Sequence, residues 1–184
     1  MLIKTIVVGS LQTNCYILID EESKEAVVID PGDEAEQILR ELKDVKTLYI
    51  ILTHGHPDHF GGIDVLKAQT GATILMHPAD NWFFKPDREI KDGDEIKLGK
   101  TMIKVIETPG HSPGSLCIYT PGYLFSGDTL FYRNYGRTDL GGGSEELMQK
   151  SLKKLAELPP ETIVYPGHGP STTIKDERES GYLG

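Results

Sequence analysis

The amino-acid sequence predicts an α/β protein in which β-sheets are stacked on one another and helices cover them from outside. Short β-branched runs alternate with amphipathic segments in both halves of the chain, and predicted strands outnumber predicted helices. The chain has 184 residues, which is about one domain's worth. We therefore predict a single domain that spans residues 1–184.

The first half of the chain is predicted to contain most of the strands. The run Thr47–Leu52 is nearly all apolar, as is typical of a strand that is covered on both faces. A second helix is expected to end near Gly71. The first helix is predicted from an apolar stripe at i, i+3, i+4 and i+7, formed by Ala35, Ile38, Leu39 and Leu42. The predicted strands are 2–8, 14–20, 25–30, 47–52 and 73–76.

The second half repeats this alternation around a long glycine-rich loop, predicted over residues 127–143. Ser144 is predicted to cap the helix that follows, because its hydroxyl can accept from the free N–H groups of the first turn. Glu145 and Glu146 suit the positive end of the helix dipole, and Pro159 ends the helix. The predicted strands are 101–107, 115–120, 123–126 and 162–165.

The charge balance argues against two kinds of partner. The chain carries 19 Lys and Arg against 28 Asp and Glu, a net charge of −9. Such a surface repels nucleic-acid phosphates and anionic lipid, so we predict that the protein binds neither nucleic acid nor membrane. Cys15 and Cys117 form no Cys-x-x-Cys pair and Met1–Gly9 lacks a signal-peptide pattern, which predicts a cytoplasmic protein with reduced thiols. The oligomeric state stays open.

Imidazole and carboxylate groups cluster directly after the fourth predicted strand. In an extended segment, residues two apart point to the same side, so His54 and His56 are expected to bind one metal ion. Asp58 and His59 come after the chain has turned and are expected to bind a second ion. These ligand types suit Zn, Fe(II) or Mn, and no thiolate nearby narrows the choice.

Three more residues of the same kinds follow other predicted strands. His111, Asp128 and His168 each come after a glycine-containing turn, where α/β folds gather functional residues. With the first cluster they make seven ligands, five His and two Asp, which is enough for two ions that share one carboxylate. His77 matches no ligand position, and we predict a structural role for it.

The order, spacing and flanking glycines of these motifs resemble those of the metallo-β-lactamase-fold hydrolase superfamily. The resemblance extends from about Thr13 to Arg178. It implies a four-layer αββα sandwich with a dinuclear metal site at one edge of the sheets. The motifs that carry it are His54-x-His56-x-Asp58-His59, Pro109-Gly110-His111, Ser126-Gly127-Asp128-Thr129 and Pro166-Gly167-His168.

The same resemblance assigns the ligands to two divalent ions, with zinc as first choice and iron or manganese as alternatives. Asp128 is expected to bridge the ions, and Asp30 resembles the family's aspartate that supports the metal loop. One ion is expected on His54, His56 and His111, and the other on Asp58, His59 and His168.

Within the superfamily, the segment from Gly127 to Arg137 is similar to glyoxalase II, the hydroxyacylglutathione hydrolases. True metallo-β-lactamases lack an aspartate at the position of Asp128, which argues against antibiotic hydrolysis. Arg137 stands where glyoxalase II has a basic residue that meets the substrate. Tyr135, in the same loop, is expected to shape the substrate pocket.

Three departures from glyoxalase II predict that glutathione thioesters bind weakly. Asp139 and Pro170 stand where that family has aromatic residues. The sequence ends at Gly184, before the C-terminal helical domain that holds glutathione in that family. In these respects the chain resembles the compact, single-domain glyoxalase II-like hydrolases.

Three functions are predicted, in order of preference. The first is a dinuclear metallohydrolase that cleaves a thioester or ester, in which a hydroxide between the ions attacks the carbonyl carbon and Asp58 or Asp128 accepts the proton. The second is a persulfide dioxygenase, whose family keeps these ligands but uses one Fe(II), here on His54, His111 and Asp128. The third, a metal site without catalysis, is disfavoured because seven ligands exceed what a structural site requires.

Overall fold

The computed structural model describes residues 1–183, which form two six-stranded sheets, a two-stranded hairpin and four helices. The strands are β1 (Leu2–Val8), β2 (Thr13–Asp20), β3 (Glu25–Ile29), β4 (Lys46–Ile51), β5 (Thr73–Met76), β6 (Arg88–Glu89), β7 (Glu95–Leu98), β8 (Thr101–Glu107), β9 (Leu116–Thr120), β10 (Tyr123–Gly127), β11 (Leu130–Phe131), β12 (Asn134–Tyr135), β13 (Ile163–Pro166) and β14 (Thr172–Thr173). The helices are α1 (Ala35–Glu41), α2 (Ile63–Thr70), α3 (Glu145–Leu155) and α4 (Ile174–Glu179). Within the described residues, no helix is long and apolar enough to cross a bilayer.

The topology brings several strand ends to one edge of the molecule. The first sheet has the order β1-β2-β3-β4-β5-β6, with β3, β4 and β5 parallel to one another. The second has the order β14-β13-β10-β9-β8-β7, with β10 and β13 parallel. Because parallel strands end at the same edge of a sheet, the loops that follow them lie side by side.

The core forms three apolar layers, which make the protein a four-layer αββα sandwich. On β3, Val27 and Ile29 face the second sheet, whereas Ala26 and Val28 face α1 and α2, as the two-residue period of a strand requires. On the outer face of the second sheet, α3 contributes its apolar stripe of Met148, Leu152 and Leu155. This architecture confirms the predicted fold class.

Six short elements were not predicted from the sequence: β6, β7, β11, β12, β14 and α4. On β7 only Ile96 and Leu98 are buried, a pattern too short to distinguish from a loop. The glycine-rich loop 127–143 contains the β11-β12 hairpin, whose strands have two residues each. In α4 the only buried apolar residue is Ile174, so no helical stripe was visible. The two-residue strand β14 carried no periodic pattern either.

Phe125→Ala is expected to lower the free energy of unfolding by about 3–5 kcal/mol, because it would leave a cavity between the sheets. Phe125 is fully buried (0%), and its ring stacks on that of Tyr165 with a centroid distance of 5.3 Å. Urea unfolding followed by circular dichroism measures the change. Phe83→Ala is the matched control, since that side chain is 63% exposed, and about 1 kcal/mol or less is expected. Equal losses in the two variants would contradict the assignment of Phe125 to the core.

Candidate metal centre

The seven residues predicted as metal ligands converge at one edge of the sandwich. The first four follow β4, the first sheet's fourth strand, and the other three follow β8, β10 and β13 of the second sheet. Two loops from the first half of the chain flank them, one before β2 and one after β3. The seven residues are His54, His56, Asp58, His59, His111, Asp128 and His168.

The ligand atoms form three overlapping groups. Two of them match the predicted sites, and the third, His54, His59 and Asp128, links the two. Within each group, one nitrogen or oxygen atom from each member lies within 4.8 Å of the others. We call His54, His56 and His111 the first group. We call Asp58, His59 and His168 the second group.

Asp128 lies between the two groups. Its Oδ2 atom is 3.6 Å from His111 Nε2 in the first group and 3.6 Å from His168 Nε2 in the second. Its Oδ1 atom is 3.5 Å from His59 Nε2. This is the placement that a shared carboxylate ligand needs.

A test of whether the residues fit a metal comes from the tautomer of His54. Thr53 Oγ1 has a single proton and donates it to Asp30 Oδ2 at 2.6 Å. The same oxygen must therefore accept from His54 Nδ1, at 3.1 Å, which leaves His54 Nε2 with a lone pair. That nitrogen is buried and has no hydrogen-bond partner among the described residues. His59 Nε2 and Asp128 Oδ1 are equally buried and unpartnered.

Such unpartnered buried atoms cost free energy unless a ligand satisfies them. The three lie close together, two on the loop after β4 and one after β10, and all belong to the residue types that bind Zn, Fe(II) or Mn. The site therefore fits a divalent metal.

Hydrogen bonds on the side away from the centre fix the orientation of three further imidazole rings. His59 Nδ1 donates to Asp30 Oδ2 at 3.0 Å, and His111 Nδ1 donates to the Arg137 carbonyl at 2.8 Å. His168 Nδ1 donates to the Leu11 carbonyl at 3.1 Å. Each of these bonds turns Nε2 towards the centre, as is usual for metal-binding histidines. His56 differs, because its Nδ1 faces the centre, 2.9 Å from His111 Nε2.

Electrostatics differ across the centre. Burial lowers the pKa of His54 well below its usual value and also lowers that of His56, so both rings are neutral, the form that binds metal. At His59 burial opposes the charged form, but the carboxylates of Asp128 and Asp30 outweigh it and raise the pKa. The carboxylates therefore favour positive charge at this point, which a divalent ion would supply.

Glycine is required where loops approach the ligands closely. A Cβ atom at Gly167 would overlap Asp128 Oδ1. A Cβ atom at Gly32 would overlap the carbonyl oxygen of Asp58. Gly167 therefore lets the last ligand motif lie against Asp128, and Gly32 lets the loop after β3 lie against Asp58.

Of the two residues predicted to contact substrate, Tyr135 ends β12, and Arg137 follows it with its backbone carbonyl on His111 Nδ1. The guanidinium of Arg137 makes two hydrogen bonds to Asp139, at 2.7 and 2.8 Å, and is largely exposed. The Tyr135 hydroxyl donates to Glu145 at 3.0 Å. Both side chains are thus held by carboxylates of this loop and of α3, and their contact with substrate stays a prediction.

Sequence reasoning missed Thr53, although it stands immediately before His54. Its backbone N–H and hydroxyl both donate to Asp30, at 2.8 and 2.6 Å. A signal was present, since the position directly after a buried strand is where parallel sheets place functional residues. His77 lies outside both groups, as predicted: its Nε2 contacts Glu107 Oε1 at 3.0 Å and its Nδ1 accepts from Ala79 N–H.

The four layers and the converging ligands define a metal-binding αββα protein. Residues 8–168 match the metallo-beta-lactamase superfamily. The chain belongs to that superfamily.

Relatives of similar length extend over nearly the whole chain. An uncharacterized protein of Aquifex aeolicus is 42% identical and covers 97% of this chain and 94% of its own. The probable metallo-hydrolase YqgX of Bacillus subtilis is 34% identical over 94% of this chain and 92% of its own length. The hydroxyacylglutathione hydrolase GloC of Haemophilus influenzae is 33% identical over 98% of this chain and 96% of its own length.

Solved structures agree with the fold. The BLEG-1 B3 metallo-beta-lactamase has a TM-score of 0.90 at 36% identity and covers 99% of both chains. ETHE1 from Myxococcus xanthus has a TM-score of 0.91 at 30% identity, covering 98% of this chain and 83% of its own. TTHA1623 in a di-iron-bound form has a TM-score of 0.85 at 36% identity, covering 96% and 98%.

Asp128→Ala is expected to lower metal content and activity together, because the lost carboxylate lies beside both groups. Metal analysis of the purified variant by mass spectrometry measures the first effect. His77→Ala is the matched control, since His77 also follows a strand but contacts Glu107 instead of the centre. We expect it to retain wild-type metal content. Two ions and normal turnover in Asp128→Ala would show that Asp128 does not bridge.

Proposed function

We propose that the protein is a dinuclear metallohydrolase that cleaves a thioester or an ester, with zinc as the first choice of metal. The observation that carries the proposal is the position of Asp128 Oδ2, 3.6 Å from a histidine of each group. A carboxylate shared by two ligand groups is typical of two-metal hydrolytic sites. The relatives named metallo-hydrolase and hydroxyacylglutathione hydrolase support the same reaction class.

Two bound divalent ions would supply a nucleophile by acidifying water and would neutralise the charge that develops on the carbonyl oxygen. The exposed fractions of the ligand side chains indicate from which side a substrate can reach the centre. The side chains of His168 and Asp58 are 28% and 24% exposed, whereas His59 is fully buried. The scissile bond is therefore expected to approach past His168 and Asp58, with His54 and His59 forming the floor.

The proton released from water needs an acceptor near this opening. Asp58 Oδ2 lies 3.3 Å from both His59 Nε2 and His168 Nε2, and it accepts a hydrogen bond from Thr13 Oγ1 at 3.1 Å. Burial opposes ionisation of Asp58, but the adjacent rings of His168 and His59 outweigh it and lower its pKa. Asp58 is thus an ionised acceptor, and the side chain of Asp128 is also within reach.

The cysteine thiols are not suited to act as nucleophiles. Burial raises the pKa of Cys117 to about 11 and that of Cys15 well above its usual value. Neither thiol is ionised near neutral pH, and the thiolate is the reactive form. A hydrolysis that needs only water is consistent with this.

A persulfide dioxygenase is the second candidate. The three residues that such an enzyme would use for one Fe(II) are His54, His111 and Asp128. The rings of His54 and His111 are 4.9 Å apart, and Asp128 Oδ2 is 3.6 Å from His111 Nε2, so the three adjoin one another. The structural similarity to ETHE1, which is a persulfide dioxygenase, supports this candidate.

Metal content and substrate together distinguish the two candidates. The protein is purified, analysed for metals, and assayed with an S-acylglutathione for thiol release and with glutathione persulfide for oxygen consumption. We expect two metal ions per chain, the release of one thiol for each thioester cleaved, and no oxygen uptake. One iron per chain with persulfide-dependent oxygen uptake would favour the dioxygenase. A third assay uses a β-lactam, and turnover of that substrate without thioester cleavage would also overturn the proposal.

We further propose a small-molecule thioester or ester as the partner, with no nucleic acid or membrane bound, and a cytoplasmic location. The net charge of −9 supports the exclusion of anionic polymers and lipids. Cys15 and Cys117 are free and buried, as expected of reduced thiols.

Arg137→Ala is expected to lower kcat/KM on an anionic thioester by roughly ten- to a hundredfold, because a charge-assisted hydrogen bond to the substrate would be lost. Arg137 is suited to this role because its guanidinium is exposed. Its own backbone carbonyl accepts a hydrogen bond from His111, which places the residue beside the centre. Steady-state kinetics on an acylglutathione and on a small neutral ester measure the effect. The neutral ester should lose far less and metal content should not change. Equal losses on both substrates would remove the role given to Arg137.

A further inference from the structure

We infer that Asp80 is a positioning residue that holds two loops of the metal centre at the spacing the first group requires. Asp80 is 1% exposed and ends the short 3-10 turn Pro78–Asp80 that follows β5. It is not a ligand in either group. The inference rests on the metal-binding part of the proposed function and is independent of the substrate.

The Asp80 carboxylate joins the loop after β4 to the loop after β8. Its Oδ2 atom accepts from Gly55 N–H at 3.0 Å and from the Ser112 hydroxyl at 2.5 Å. Its Oδ1 atom accepts from Gly114 N–H at 2.7 Å. Gly55 stands between two ligands of the first group, and Ser112 directly follows the third.

The chemistry at this position requires a carboxylate. Each of its two oxygens meets at least one N–H or O–H donor, and an ionised carboxylate is an acceptor only. An asparagine has nearly the same shape, but in either orientation its amide nitrogen would face a donor. The loss of one bond and the conflict between donors would let the two loops move apart.

Asp80 accepts from Gly55 and Ser112, which adjoin ligands of the first group, whereas the ligands of the second group have supports of their own. His59 is held by Asp30, His168 by the Leu11 carbonyl and Asp58 by Thr13. Asp80 contacts none of these supports. The affinity of the first group for metal is therefore expected to depend on Asp80, and that of the second group is not.

Zinc titration of the metal-free protein against a chromogenic chelator tests the inference without any substrate. In Asp80→Asn we expect one of the two zinc sites to weaken by roughly ten- to a hundredfold, as is usual when a supporting partner of a ligand is lost, and the other to stay within about threefold. Two further backgrounds assign the sites. With His168→Ala, which disables the second group, Asp80→Asn should weaken the remaining ion. With His56→Ala, which disables the first, it should have no further effect.

Glu177→Gln is the matched control. Glu177 is also fully buried and accepts from Arg133 N–H at 2.9 Å and from the Thr172 hydroxyl at 2.6 Å, on the α4 side of the molecule. It should lower the melting temperature of the metal-free protein without changing the zinc affinity of the first group. A merely structural role for Asp80 would make the two variants behave alike, and that result would overturn the inference.

Ser112→Ala keeps the inference testable if Asp80→Asn does not fold. It removes one of the three donors to Asp80 and leaves the carboxylate in place, so a smaller loss of zinc affinity at the same site is expected. Wild-type affinity at the first group in Asp80→Asn, or equal weakening of both sites, would contradict the inference. Absence of both thioesterase and esterase activity in the wild type would refute the proposed function and leave this test intact.

Discussion

Asp30 follows β3 in the left-handed backbone region, at φ +51°, and its carboxylate accepts three hydrogen bonds in a fully buried position. Two donors belong to Thr53 at the end of β4, and the third is His59 in the metal loop. A buried carboxylate is stable only when its oxygens are satisfied in this way. The same contact sets the tautomer of His54 through the Thr53 hydroxyl, so one aspartate orients a histidine of each group. The metal centre depends on this one interaction.

The two sheets contribute to the centre unequally but jointly. The loop after β4 supplies four ligands, and the loops of the second sheet supply His111, Asp128 and His168. Each group therefore combines ligands from both sheets. Only a sandwich whose sheets are packed in a fixed relation, as the apolar layer with Phe125 provides, can bring these side chains within bonding distance of common ions.

The ligands could be predicted from the sequence because their signal is local. His54 and His56 stand two apart directly after an apolar strand, and the isolated His111 and His168 follow glycine turns at other strand ends. Supports across long sequence distances could not be predicted. Asp80 binds groups 25 and 32 residues away, and nothing near it in the chain indicates those partners.

Side-chain direction was equally inaccessible from the sequence. A motif position places Arg137 beside the centre, but the sequence does not tell whether its guanidinium points to a ligand or to Asp139, two residues on. The short elements β7 and α4 could not be predicted from the sequence for a related reason. Their stability comes from contacts with residues that are remote in the chain and not from a periodic pattern of their own.

Because each group takes ligands from both sheets, a bound ion would act as a cross-link between the two halves of the sandwich. Separation of the sheets would require the release of every ion, so the conformational stability of the protein becomes a function of free metal concentration. By mass action, an ion present at a hundredfold excess over its dissociation constant adds about 2.7 kcal/mol. In a metal-poor environment the same chain would lack this contribution to its stability.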